Sequence, residues 1–384
     1  KGTFAKAFST VIIAVCASAA AFGFFEALAN VFIGRSGNSR FPALVPWAQP
    51  LCFALLFIVV FAVLQTLVML LMRKPVDMGF LPERIGRVIC GIFLGLIISG
   101  LVLTFLVMSP LPEGFPYPRF VLGKPDPERP NKVLLNADGF VTGWFSIISS
   151  GSFSGKKSFA SLHPNFLDQV FLNRHNAADE VSITTSSQAI EIPNKAVWPA
   201  RQSLKDSNGQ PVSPKTGHTL TIVRVAIKKS ALRDAGNFTL SQLRLICKPK
   251  GYAKDPLTGK GRNVYPIGFL KEADQVQSSS PIQIGRDDFE RDASEKEIDF
   301  VFSVPDDFEP VLVEFKLNDI IQIARSAIVS ADQAPPPALF IPSDKTKKDT
   351  ERADKTSKRQ EASPPTPSKK AKRSDVGRSN QFDE

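Results

Sequence analysis

Hydrophobic positions follow two regimes along the chain. Long apolar runs fill most of the first 110 residues, and short alternating runs appear after about residue 180. The most decisive long run is Arg84–Met108, RIGRVICGIFLGLIISGLVLTFLVM, where Arg87 is the only charge from Ile85 onward. At helical rise its 24 residues from Ile85 cross a hydrocarbon layer of about 30 Å. Two similar runs precede it. The pattern therefore predicts three transmembrane helices, over about 7–33, 51–72 and 85–108, within a membrane region 1–108.

Helix contacts can be read within these runs. Gly91 and Gly95 form GxxxG, with Gly86 and Gly100 outside them, and such glycines let a second helix backbone come close. The motif is weak, because glycine is common in membrane helices. Ala14, Ala17, Ser18 and Ala21 leave a flat face on the first run. That run continues too far past small-residue cleavage sites to suit a secretory signal. Glu26 and Asn30 lie near its end, marking either a polar path or, the reading favoured, an interfacial position. Gln65 is the other candidate intramembrane polar residue.

After Met108 the pattern changes. Residues 109–131 hold seven prolines and read as a stiff, extended linker. Residues 132–179 read as a helical connector. Phe140, Trp144 and Ile148, with Val141 and Phe145 beside them, make one apolar helix face for protein or a membrane surface, protein being favoured. A second helix starts near Pro164, with Phe166, Leu167, Val170 and Phe171 on one side.

Residues 180–330 carry a period of two. TLTIVRVAIKK, EIDFVFSV and VLVEFKL alternate, and LSQLRLIC, NVYPIGFL and PIQI lie between them. Turn clusters such as SNGQPVSPKTG separate the runs, which predicts an antiparallel, immunoglobulin-like β-sandwich. Its expected core is Leu220, Ile222, Val225, Ile227, Phe300, Phe302, Val313 and Phe315. Residues 331–384 hold seven prolines, twelve Lys or Arg and nine Asp or Glu, and read as a disordered tail dispensable for folding the sandwich.

Charge sets the orientation. Lys1, Lys6, Arg73, Lys74, Arg84 and Arg87 flank one side of the runs, against Arg35 and Arg40 on the other. This places 1–6 and 73–84 in the cytoplasm and the C-terminal region outside. The net charge of +10 is partly explained by those loops, and no nucleic-acid partner is expected. SKKAKR at Ser368–Arg373 looks like a nuclear-localisation cluster, but a solvated tail touching anionic envelope polymer is favoured.

Candidate chemistry is sparse. Cys247 is the one cysteine outside the apolar runs, so an internal disulfide in the β region is excluded. His163, His175 and His218 lack metal-ligand spacing, and no P-loop, GxSxG or dinucleotide pattern occurs. GSFSGKKS (Gly151–Ser158) reads as a loop rather than a phosphate cradle, and the acidic stretch Asp287–Glu297 as a solvated connection. No catalytic, cofactor or metal residue is assigned, and no enzyme activity is expected.

Two stretches carry a family resemblance. KGTFAKAFSTVIIAVCASAAAFGFFEALAN resembles the segment after the first span of the colicin V production (CvpA-like) family, with Lys1-Gly2 as its opening pair. FLPERIGRVICGIFLGLIISGLVL resembles that family's last span. The match covers about residues 1–110. It implies a multi-pass inner-membrane protein linked to toxin production or export, with one more apolar span expected before Lys1. FVFSVPDDFEPVLVEFK, within about 180–325, is loosely similar to sandwiches of extracytoplasmic lipoproteins. An accessory or scaffold role is expected, with a transporter or channel subunit as the alternative. The expected partners are the lipid bilayer, membrane or envelope proteins, and a second copy through Gly91 and Gly95.

Overall fold

The computed structural model describes residues 4–33, 42–71, 80–112, 114–121, 129–151, 157–174, 183–184, 188–201, 203–278 and 282–341. The loops that set the charge imbalance, His175, most of GSFSGKKS and the tail from 342 lie outside the described residues. Residues 1–342 form one compact unit.

Three helices open the fold: α1 (Phe4–Ile33), α2 (Ala48–Leu71) and α3 (Phe80–Met108). All three are long and apolar enough to cross a membrane. Each starts three to five residues earlier than the sequence pattern suggests, because Pro50 and Pro82 are tolerated in the first turn. Helical hydroxyls are satisfied locally: Ser18 Oγ donates to the Ala14 carbonyl at 2.6 Å and Thr104 Oγ1 to that of Gly100 at 2.8 Å. The small-residue face of α1 is fully used, with Ala14, Ala17, Ser18 and Ala21 all buried.

The glycines divide differently from expectation. A Cβ at Gly91 or Gly95 would meet only open space within the chain. The glycines that admit a neighbour are Gly86, where a Cβ would overlap the Phe4 ring, and Gly100, where it would overlap the Ala137 carbonyl and the Val141 side chain. The neighbour at Gly100 is α4 (Ala137–Ser150). Its buried stripe runs through Ala137, Val141, Phe145 and Ser149, at i, i+4 spacing, while Phe140 and Trp144 are exposed. The expected face thus splits, because α4 packs along α3 rather than over a sheet.

A short helix, α5 (Phe159–Leu162), and α6 (Phe166–Arg174) follow. The Pro-rich stretch before them is not a free spacer. Arg174 of α6 donates to the carbonyls of Ser109, Leu111 and Phe115 at 3.1–3.3 Å, and Phe120 is buried.

The C-terminal part is antiparallel β structure. The strands are β1 (Ile190–Glu191), β2 (Val197–Pro199), β3 (His218–Lys228), β4 (Asn237–Phe238), β5 (Leu243–Pro249) and β6 (Arg262–Val264). After them come β7 (Pro266–Leu270), β8 (Val276–Gln277), β9 (Ile282–Gln283), β10 (Glu295–Pro305), β11 (Phe308–Phe315) and β12 (Asp319–Gln322). One sheet has the order β1-β3-β10-β7-β8 with β2 also on β3, a second β12-β11-β5-β6, and β4 pairs with β9. Val225, Phe300 and Phe302 of the first sheet meet Leu245, Val313 and Phe315 of the second in one core.

All eight expected core residues are buried, but they do not share one face. Leu220 and Ile222 join Trp198, Leu204 and Val301 in a separate cluster on the other side of the first sheet. β3 and β10 pair without interruption from Lys228 opposite Glu295 to His218 opposite Pro305. The break in alternation at Val223 therefore reflects burial on both faces, not a bulge.

The expected tail boundary at 331 is too early. Residues 331–341 lie along the first sheet. Arg224 holds Asp299 at 2.7 and 2.9 Å and also donates to the Pro336 carbonyl at 2.5 Å. Asp299 Oδ2 accepts the Ala338 N–H at 2.8 Å. Phe340, 1% exposed, packs on Phe269 with ring centres 5.7 Å apart. A sequence rich in proline still folds here, because one phenylalanine finds the core and the backbone finds a carboxylate.

In the full chain, Phe340→Ala should lower stability to denaturant by about 3–5 kcal/mol, the cost of emptying a buried aromatic site. Ending the chain after Pro342 should leave near-ultraviolet circular dichroism and the unfolding midpoint unchanged. Equal behaviour of Phe340→Ala and the parent chain would show that 331–341 is not part of the folded unit.

Candidate functional site

Glu26 is a carboxylate on a helix made almost entirely of apolar residues, so its surroundings decide what it can do. Its turn of α1 does not face a second apolar helix alone. Phe22 and Phe25 on the same side enter an aromatic cluster with Phe53, Phe145, Phe159 and Phe166. Glu26 follows them and reaches His163, whose Nε2 lies 2.7 Å from Glu26 Oε1. This contact is a charge pair rather than a well-aligned hydrogen bond.

Local structure holds the imidazole there. The His163 N–H caps α5 by donating to the Phe159 carbonyl at 2.7 Å, and Pro164 prevents the helix from continuing. α5 itself is stitched to the β region. Ser158 Oγ donates to the Ser149 and Gly259 carbonyls at 2.9 and 3.0 Å, and Ser161 Oγ to that of Pro256 at 2.8 Å. Gly261 donates its N–H to Ala160 at 3.0 Å, and a Cβ there would strike the Ser161 carbonyl.

From His163 a chain of polar groups runs into the second sheet. Gln169 Nε2 donates to Glu314 Oε1 at 2.5 Å. An ionised carboxylate only accepts, so the Gln169 amide is oriented with its oxygen toward His163. His163 Nδ1 then donates to Gln169 Oε1 at 2.9 Å. Glu314 on β11 is the direct cross-strand partner of Arg244 on β5, and the two side chains form an ion pair. Arg244 also donates to Asn263 Oδ1 and, at 2.6 Å, to the Leu162 carbonyl. Glu26, His163, Glu314 and Arg244 are charge-balanced when the imidazole is protonated. Burial opposes charge on His163, and the neighbouring Glu26 and Glu314 carboxylates outweigh it, so its pKa lies above the ordinary 6.5.

A second polar cluster flanks the first. Arg119 Nε donates to Asp168 Oδ1 at 2.5 Å and its Nη1 to the Tyr117 hydroxyl at 3.1 Å, while that hydroxyl donates to Asp138. Burial raises the Asp168 pKa despite the guanidinium. At the far edge of the β region, Asp319 accepts the Ala189 and Ile190 N–H groups at 2.7 and 3.0 Å, and burial pushes it up to about 6.

Of the residues singled out from the sequence, the fold brings Glu26 and His163 together. Gln65 Oε1 is buried without a hydrogen-bond partner among the described residues. Gly91 and Gly95 belong to no internal site. His218 stands at the start of β3, its Nδ1 against the Thr216 carbonyl at 3.0 Å. No group of three or more His, Cys, Asp or Glu side chains is placed to hold a metal ion among the described residues. The four cysteines are free thiols, and burial pushes that of Cys247 up to about 12.

Sequence reading missed Gln169, Arg244 and Glu314. Their signal was a charge inside each of two otherwise apolar strands, at LRLIC and VLVEF. The arrangement is suited to transmitting charge and position between α1 and the β region. It presents no nucleophile beside a base. The chain matches no family model, no curated protein and no solved structure.

The raised pKa gives a signed prediction. The stabilisation from protonated His163 should be complete below about pH 6.5 and decline as pH rises through the raised value. Asp319, which burial pushes up to about 6, is present in both chains, so its effect cancels in the difference between them. The stability difference between the parent chain and His163→Gln, measured by denaturant unfolding in detergent, should shrink as pH rises above about 6.5. A difference constant from pH 6 to 9 would contradict a charged His163.

Proposed function

We propose that the chain is an integral membrane accessory or scaffold protein of the colicin V production type. In this reading α1, α2 and α3 cross the cytoplasmic membrane. The β region is an immunoglobulin-like sandwich held outside it to bind an envelope or membrane protein. The observation that carries this reading is the chain of polar contacts from the partly exposed Glu26 through the buried His163 and Gln169 to Glu314 and Arg244. It joins an apolar helix to the β sheet rigidly, as a scaffold needs. No side chain in it is left to perform chemistry on a substrate. The one carboxylate of α1 is also paired with His163, where a conduction path would need it free to bind a passing ion.

A transporter or channel subunit is the second reading, and the buried Gln65 carbonyl oxygen favours it. A homo-oligomer fits either reading, because Gly91 and Gly95 face open space on α3, where a helix from another copy could approach.

The proposal is tested by reporters joined at the C-terminus. A phosphatase that works only outside the cytoplasm should be active there and a cytoplasm-only fluorescent protein dark. In the same membranes, crosslinking should capture one or more envelope proteins. The reverse reporter pattern would sink the orientation, and ion flux by the purified chain in vesicles would replace the scaffold reading with the transport one.

A further inference from the structure

We infer that the cleft between α4 and the α5–α6 turn is a binding site for the headgroup of an anionic phospholipid. The inference rests on the membrane reading above and goes beyond it by naming a ligand and its place.

The cleft encloses about 350 Å³, within the range of small-ligand sites. Its walls are Asn136, Gly139, Thr142 and Ser146 of the α4 side and Pro164 and Asn165 of the turn. Lys132 and Lys260 stand at its rim. Both are exposed, and neither forms an ion pair among the described residues. The acidic side chain that lines the cleft, Asp168, is already neutralised by Arg119 at 2.5 Å. His163, which also lines the cleft, is paired with Glu26, so the cleft has a surplus of two unpaired positive charges, from Lys132 and Lys260, and a set of amide and hydroxyl groups, which is the chemistry of a phosphodiester site.

The lipid source follows from what surrounds the cleft. α4 buries one stripe against α3 through Gly100, so the cleft lies beside a helix long and apolar enough to cross a membrane. Beside the cleft α4 exposes Phe140, Trp144 and Ile147, the last 70% exposed and itself at the cleft wall. Apolar and aromatic groups next to lysines are the pattern of a helix lying at the lipid headgroup level. A soluble anion would need the lysines but not this face. A phospholipid uses both, its phosphate between Lys132 and Lys260 and its chains along Trp144 and Ile147.

Full-length protein purified in mixed phosphatidylcholine and phosphatidylglycerol micelles provides the test, with bound lipid read by native mass spectrometry. The parent chain should retain phosphatidylglycerol in preference to phosphatidylcholine. Lys132→Gln with Lys260→Gln should weaken that retention about thirtyfold, as two lysines near an anionic surface contribute. Lys250→Gln with Lys254→Gln removes equal charge elsewhere and should leave it intact. Circular dichroism of each variant verifies folding. Equal retention of both lipids, equal retention by the two double variants, or displacement by inorganic phosphate would overturn the lipid site. Release of the chain from membranes by alkaline extraction would instead overturn the membrane reading itself, and the lipid site with it.

Discussion

A carboxylate on an apolar helix must find a cation or lose its charge. Glu26 meets that constraint through His163, and much of the junction is built around keeping the imidazole in place. Removing ions from water costs several kcal/mol each, and the penalty is offset only where every member of the set is paired. The set here is complete: two carboxylates, one guanidinium and one protonated imidazole, linked by the Gln169 amide. The ends of the chain are anchored in different elements, α1 at one end and the β5–β11 pair at the other. Such a network is weak evidence for net stability, since an apolar junction could be equally stable. Its consequence is positional, because the linked contacts tie α1 through His163 and Gln169 to the β5–β11 pair, even though Arg244 Nε is left without a hydrogen-bond partner among the described residues.

Helix length explains why the charge is available to the β region. α1 has 30 residues and extends about 45 Å, against about 30 Å for a hydrocarbon layer. A helix of that length crossing such a layer would leave its last turns beyond it, free to join the folded core. Phe22 stacks on Phe145 at 5.1 Å and lies edge-on to Phe53 and Phe159. Near its end, Ala29 and Ile33 are buried with Val45, Cys52 and Ile183. The aromatic cluster shields the His163 side of the pair, whose side chain is 2% exposed against 28% for Glu26, and this partial shielding strengthens the attraction.

The elements themselves were legible because each was long or strictly periodic. An uncharged run such as Val11–Phe25 and an alternating run such as EIDFVFSV admit few other readings. The failures have physical causes. α4 turned its stripe by one residue, because a close approach at Gly100 outweighs the bulk of Trp144 as a packing surface. Ala331–Ile341 folded despite its composition, because Arg224, Asp299 and Phe269 supply partners that no local pattern reveals. Glu26 was visible as an isolated charge, but its partners lie 137 and more residues away in sequence, at His163, and no single-chain periodicity links them. The separation of sheet faces at Val223 was hidden for the same reason: both faces are covered by segments remote in sequence.

The central claim is that Glu26 and His163 act as one unit joining α1 to the β region. A double-mutant cycle of Glu26→Gln and His163→Gln, in the full chain in detergent at pH 6, measures that directly. Unfolding of the β region by denaturant should give a coupling energy of about 0.5–3 kcal/mol, with the double variant less destabilised than the two single effects summed. Strictly additive effects would contradict the account, because the two side chains would then contribute independently and would not join the helix to the sheet as one unit.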